Sequence, residues 1–240
     1  MKKSLSFILA LVLGLSWPVL ASNLTQQQST LYPFRNTFAL QDDFIGGNTA
    51  SGSIGVLGWI SAAATITSIL GETNRPGIIR IDSTAVPGTI GRIVLSGGNA
   101  ATDPSVSHSI SYDARLNTND ANTTLRIGEM AATAASPPVN GIYLEKLDAD
   151  TNWFCVARAA GVQTRTNSTV AVNTAFNTFA FTRNSSGIQY RINNVNVCGV
   201  IATNIPTAIQ NQVIQIVTSA AAAKTVDVDY FQMKTAALVR

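Results

Sequence analysis

Acids that share a strand or a turn are the first residues that could do chemistry. The string EKLDADTN carries Glu145, Asp148, Asp150 and Asn152 within eight positions. A retaining glycosidase needs two carboxyl groups about 5–5.5 Å apart. Alternate residues of one strand can supply such a pair, because their side chains point to the same face. Glu145 and Asp148 are three apart and face opposite sides of a regular strand. Asp148 and Asp150 share a parity but fall where a turn is expected. A carboxylate pair on one strand is therefore missing, and no catalytic residue is assigned. The same string has the Asp-x-Asp-x-Asn rhythm with which calcium loops begin, so Asp148, Asp150 and Asn152 are candidate metal ligands. Trp153 follows where an EF-hand has glycine, and the twelfth position is Ala159, which excludes that motif. A simpler calcium-binding turn stays open beside a plain hairpin turn, where Asp and Asn bond their own backbone.

Other constellations carry less. Asp227 and Asp229 in TVDVDYFQ share a strand face, with Val226, Val228 and Tyr230 expected on the other. A solvated strand face explains them, and a cation would need a third ligand. The run DDFIGGNTASGSIGVLGW (42–59) is glycine-rich but lacks the Gly-Lys-Ser/Thr ending of a phosphate loop. It reads as the entry of the first strands, with Phe44 and Trp59 anchored in the core and Asp42 and Asp43 a weak cation candidate. His108 is the sole histidine, beside Val106 and Ile110 on one strand face, and no Gly-x-Ser-x-Gly elbow surrounds a serine. Tyr112, Tyr143, Trp153 and Tyr190 lie on strands and are mostly core residues, although an aromatic platform with Asn, Asp and backbone donors suffices to hold a glycan.

The segment preceding these elements has the grammar of an export signal. Lys2 and Lys3, an apolar run, and Val19-Leu20-Ala21 before Ser22 predict a signal peptide over 1–21. The run is short for a membrane span, so the mature chain is expected to have none. Without Lys2 and Lys3 the basic count falls from 16 to 14 against 13 acids, which leaves almost no net charge. Nucleic acid is not expected as a partner, since such domains carry clustered basic stripes. No cofactor is expected beyond the calcium candidate. Cys155 and Cys198 form a plausible disulfide in an oxidising compartment, worth roughly 4 kcal/mol for a loop of this length. Two buried thiols on separate strands are the alternative. The expected location is secreted: extracellular, cell surface or periplasm.

The elements that must position these residues are short alternating runs cut by turns. VSHSISYDARL, TTLRIGEM, GIYLEKL, NWFCVARAAG, FNTFAFTRN, GIQYRIN and QVIQIV are examples. Ten or more such strands predict an all-β antiparallel two-sheet sandwich or barrel, with helical turns admitted only at 60–70 and 220–223. Asn193-Asn194 predicts a two-residue hairpin turn. Asn184-Ser185-Ser186-Gly187 and Asp148–Asn152 predict two more, giving a meander of four strands over about 140–201. Residues 22–39 form an extended N-terminal arm or linker ahead of a β domain at 40–240. Its apolar half, with Leu31, Tyr32, Phe34 and Phe38, packs on the domain or, in a sharper reading, adds to a second copy's sheet as residues 22–40.

The series DDFIGG…GVLGW, RPGIIRI, PPVNGIYLEKL…NWFCVARAAG, FNTFAFTRNSSGIQYRINNVNV…NIPTAI and VDVDYFQMK resembles concanavalin A-like jelly rolls. The branch is that of lectin, glucanase and laminin-G-like modules, also seen in bacteriophage structural proteins. The resemblance implies a jelly-roll β-sandwich with one concave sheet of the kind that binds sugars in related folds. The expected function is a secreted, non-catalytic structural or recognition protein at the cell surface, self-assembling through its arm. The alternatives are a carbohydrate-binding lectin-like module with a glycan or cell-surface polymer as partner, and a phage virion structural or receptor-binding protein. A polysaccharide-active enzyme comes last.

Overall fold

Strand-forming, turn-punctuated sequence gives fifteen β-strands among the described residues. The computed structural model describes residues 38–45, 49–50, 53–62, 64–95, 102–103, 106–131, 137–208 and 210–235. The expected signal peptide and arm (1–37) lie outside them. The strands are β1 (Phe38–Asp42), β2 (Ile60–Ala62), β3 (Thr65–Ile69), β4 (Ile78–Asp82), β5 (Ile90–Leu95), β6 (His108–Leu116), β7 (Thr123–Met130) and β8 (Gly141–Lys146). They continue with β9 (Asn152–Ala159), β10 (Val162–Ala171), β11 (Asn177–Asn184), β12 (Gly187–Ile192), β13 (Val195–Ile201), β14 (Asn211–Thr218) and β15 (Thr225–Thr235). Residues 60–69 are thus two strands rather than helical turns; the Thr and Ile of TITSI favour the pleated backbone.

Two antiparallel sheets share these strands. One runs β13-β12-β11-β6-β15-β4-β3, with β1 also on β15; the other runs β10-β9-β8-β7-β14-β5-β2. The core lies between them: Ile110, Tyr112, Phe179, Phe181 and Phe231 from the first sheet meet Leu125, Ile127, Leu144, Trp153 and Ile214 from the second. Trp153 stacks edge-on against Phe179 with centroids 4.7 Å apart. The tyrosines bury their rings and still find acceptors across the gap, Tyr190 Oη donating to the Val156 carbonyl at 2.6 Å and Tyr112 Oη to Gln212 Oε1 at 2.7 Å.

The hairpins form where their turn residues allow. Asn193 and Asn194 both adopt positive φ, 50° and 65°, the geometry of a tight two-residue turn. Asn184 pairs with Gly187 around Ser185-Ser186. They do not build one meander, however. β8, β9 and β10 belong to the second sheet and β11, β12 and β13 to the first, because the chain crosses over at 172–176. Local hairpin signals do not say which sheet a hairpin joins. The Cys155–Cys198 disulfide then ties β9 in one sheet to β13 in the other.

Candidate functional site

The glycine-rich entry loop closes around one carboxylate. Asp42 is 1% exposed and accepts N–H groups from Phe44, Val56, Leu57 and the Trp59 indole at 2.9–3.2 Å. Gly55 has φ +64°, and a Cβ there would come within 2.3 Å of an Asp42 oxygen. Glycine is therefore required for the backbone to approach the acid. Phe44 and Trp59 are buried as the sequence implies, 5.9 Å apart, with Trp59 edge-on to Phe231 at 5.1 Å. With four protein donors on it, Asp42 is a staple of the loop.

Asp227 and Asp229 are not solvated either. Asp227 is wholly buried and accepts from Arg80, Arg115 and Asn117 at 2.7–2.9 Å. Burial acts to raise its pKa, but these donors win and hold it below the usual carboxylate value. Asp229 has Arg75 at 3.4 Å, and burial pushes its carboxyl up to about 6, helped by Asp113, Asp43 and Glu72 against Arg75. A bulge between Val228 and Tyr230 in the pairing with β6 inserts Asp229 as an extra residue. The alternation therefore slips: Phe231 and Met233 enter the core, and Tyr230 stands on the acids' side, not opposite them.

His108 faces inward as its neighbours suggest. Its Nδ1 lies 2.7 Å from the Val106 carbonyl and its Nε2 3.0 Å from Glu129 Oε1, both side chains buried. The Nε2–H is not aligned for a directed hydrogen bond, and the contact between the sheets is an ion pair only when the imidazole is protonated. Burial disfavours the imidazolium, yet Glu129 and the carbonyl raise its pKa on balance, against Arg183.

The β8–β9 turn brings two of the three predicted metal ligands together. Asp148 and Asp150 line a cavity of about 330 Å³ with Asn119, Asp120 and Val172; Asn152 does not line it. Asp148 Oδ1 accepts the Thr124 hydroxyl at 2.8 Å, and Asp150 Oδ2 accepts the Leu147 N–H at 2.7 Å and an Arg165 N–H. The Lys146 ammonium stands beside them, donating to the carbonyls of Asp120, Thr123, Leu147 and Asp148 at 2.7–3.2 Å. A calcium ion on Asp148 and Asp150 would have to displace these contacts beside a cation already in place. Among the described residues no three His, Cys, Asp or Glu side chains converge as metal ligands.

A different constellation emerges on the outward face of the second sheet. Register across its seven strands aligns Ala62, Arg92, Gln215, Arg126, Glu145, Phe154 and Asn167 in one transverse row. The adjacent row is Ile60, Val94, Val213, Gly128, Tyr143, Val156 and Arg165. Val94, Met130, Tyr143, Val156 and Val213 form a small apolar cluster separate from the main core. In the polar row Glu145 is clamped by Arg126 Nε at 2.7 Å and Arg165 Nε at 2.8 Å, and Arg126 also donates to Gln215 at 3.1 Å. Arg165 lies over the Phe154 ring at 3.4 Å and reaches Asp150 as well. The chain thus gathers Glu145 and Asp150 onto one guanidinium, although no single strand carries both.

Tyr143 is the centre of this face. A Cβ on Gly141 would meet the Tyr143 ring at 2.9 Å, and one on Gly128 (φ +153°) would meet the Ile142 carbonyl at 2.3 Å. Two glycines thus let the ring lie flat along the sheet. Its hydroxyl is buried and makes no aligned hydrogen bond, and burial, assisted by Glu145 against the adjacent Arg126 guanidinium and Arg158, pushes it up to about 12. It is a neutral phenol at any ordinary pH. Tyr112, Trp153 and Tyr190 face the core instead. Sequence reasoning missed Arg126, Phe154, Arg165 and Gln215. The alternation of TTLRIGEM and NWFCVARA marks Arg126 and Phe154 as opposite the core, but only the strand order makes them neighbours.

The fold is that of a concanavalin A-like jelly roll, an all-β antiparallel two-sheet sandwich. A protein of unknown function from Shewanella oneidensis matches with TM-score 0.65 at 13% identity, over 90% of this chain and 95% of that one. A β-glucanase from Bacillus licheniformis matches with TM-score 0.55 at 13% identity, over 81% and 97%. The carbohydrate recognition domain of Emp47p matches with TM-score 0.55 at 11% identity, over 83% and 95%. No protein-family profile and no curated protein sequence matches the chain. The expectation that the chain is not an enzyme is corrected by these neighbours, since glucanases and glycosyl hydrolases recur among them. That expectation rested on the absence of a carboxylate pair on one strand, of a nucleophile elbow and of a histidine poised as a base. Among the described residues no helix is long and apolar enough to cross a membrane.

Proposed function

We propose that the chain is an exported carbohydrate-handling jelly roll that takes a glycan across the outward face of the second sheet, entering from the β9–β10 side. The observation that carries this reading is the transverse row Arg126, Glu145, Phe154, Asn167, with Arg165 packed on Phe154. It offers the planar apolar surface and fixed polar groups by which a sugar ring is held. Phe154 and Arg165 remain partly exposed while Glu145 and Arg126 are buried, so a ligand meets the row at this end. Export is supported by the leader grammar of residues 1–21 and by a disulfide joining the two sheets.

The test is affinity electrophoresis of residues 22–240 through a panel of polysaccharides, with reducing-sugar release followed on each. Retention by at least one glycan, weakened in Phe154→Ala, is the expected result. Release of sugar would identify hydrolysis as part of the handling. Uniform silence across the panel, or retention unchanged in Phe154→Ala, would overturn the site.

A further inference from the structure

The donors of this face point to the charge of its ligand. The outward positions of the second sheet carry four arginines, Arg92, Arg126, Arg158 and Arg165, and one carboxylate, Glu145. Asp150 and Asp148 join from the β8–β9 turn through Arg165 and Thr124. The face therefore holds an excess of one positive charge on a chain whose formal net charge is only +3 over its whole length. Two of its buried polar atoms make no aligned hydrogen bond, the Tyr143 hydroxyl, which has the Arg126 guanidinium beside it, and Arg158 Nε. They belong to adjacent strands and adjacent rows, since Tyr143 pairs with Val156, two residues before Arg158, and its ring lies over Gly141, which pairs with Arg158. Arg158 Nη1 is fixed by Gln163 Oε1 at 2.7 Å, which sets the guanidinium plane and leaves its Nε–H unmatched.

A buried donor without an acceptor is costly unless a ligand supplies one. Both of these atoms donate, and the arginines around them favour negative charge. Resting on the glycan reading above, we propose that the glycan is acidic, and that a carboxylate or sulfate group on one sugar is received between Tyr143 Oη and Arg158 Nε. Arg158 gives a charge-assisted hydrogen bond. Half-buried Arg158 and exposed Gln163 form the entry to this subsite on the β9–β10 edge.

The experiment compares residues 22–240 on polygalacturonate, dextran sulfate and neutral laminarin by isothermal titration calorimetry. The acidic polymers are expected to bind at least about tenfold more tightly than laminarin. Arg158→Gln and Tyr143→Phe should each lose about tenfold on them, the scale of one hydrogen bond to a charged group. Arg191→Gln, a change at a partly exposed residue of the first sheet, is expected to leave affinity unchanged; an equal loss there would mean unspecific attraction and overturn the subsite. Binding to laminarin as tight as to the acidic polymers, or an Arg158→Gln variant of full affinity, would overturn the inference and leave the glycan reading intact. Silence on all three, together with the wider panel, would remove both. Preference for polygalacturonate over dextran sulfate would assign a carboxylate, and the reverse a sulfate.

Discussion

The entry loop and the outward face of the second sheet are built from similar parts and end in opposite states. Around Asp42 four N–H groups converge on one acid, and Gly55 is shaped to admit it. Around Tyr143 two glycines likewise make room for one side chain, yet a hydroxyl and a guanidinium nitrogen make no aligned hydrogen bond. Both look like sites from the residues alone. Completed hydrogen bonding marks the first as structure, and the incomplete hydrogen bonding of the second is what the proposed ligand site rests on.

The sharpest way to break this contrast is to remove the staple. Asp42→Ala leaves four donors facing a void and should cost about 3 kcal/mol or more of unfolding free energy. Urea denaturation followed by Trp fluorescence reads it, and a loss below about 1 kcal/mol would show that the loop does not depend on the acid.

Next in size is Gly128→Ala. Its added Cβ would press on the Ile142 carbonyl and on Tyr143 from a positive-φ backbone. A cost of about 1–3 kcal/mol is expected, with a changed tyrosine signal in near-ultraviolet circular dichroism. An unperturbed signal would mean that Gly128 does not position the ring.

Asp229 is intermediate between the two regions, a buried acid with one arginine at 3.4 Å. Its carboxyl, pushed by burial from 3.8 to about 6, keeps its proton in the folded state after the unfolded chain has lost it. Stability from this group therefore declines as pH rises from about 4 to about 6 and is level above that. Asp120 acts in the opposite sense at lower pH. Burial opposes its ionisation, but Lys224, Thr123 and the Asn122 N–H hold it at about 2, so its contribution is lost as pH falls from about 4 to about 2. Asp229→Asn should flatten the melting temperature between pH 4 and pH 6 and leave the acid limb below pH 4 unchanged. A slope that persists in Asp229→Asn would assign it to another group.

The smallest effect belongs to Tyr143→Phe. Because the hydroxyl makes no aligned hydrogen bond, stability should move by no more than about 0.5 kcal/mol. A loss of 2 kcal/mol or more would show a hydrogen bond that ties Tyr143 into the fold.

Much of the fold was legible because period-two alternation, turn residues and the Phe44 and Trp59 anchors are local signals. The Asn193-Asn194 turn is written in two residues that tolerate positive φ. The sheet to which each hairpin belongs is not local, so residues 140–201 read as one four-stranded meander although they form six strands, β8 to β13, divided between two sheets. The slip at Asp229 was equally hidden, since a bulge leaves no residue pattern in VDVDYFQ. The site was least legible of all. Glu145 drew notice for its spacing to Asp148, but its partners Arg126 and Arg165 are distant in sequence and reach it only across strands.

Hydroxyl-radical footprinting of residues 22–240 with and without a bound polysaccharide tests the central claim most directly. Phe154, on the outward face of the second sheet, should lose labelling when the glycan binds. Phe176, under Arg75 and Arg115 by the first sheet, should not. Protection at Phe176 with Phe154 still labelled would place the ligand elsewhere and contradict the account.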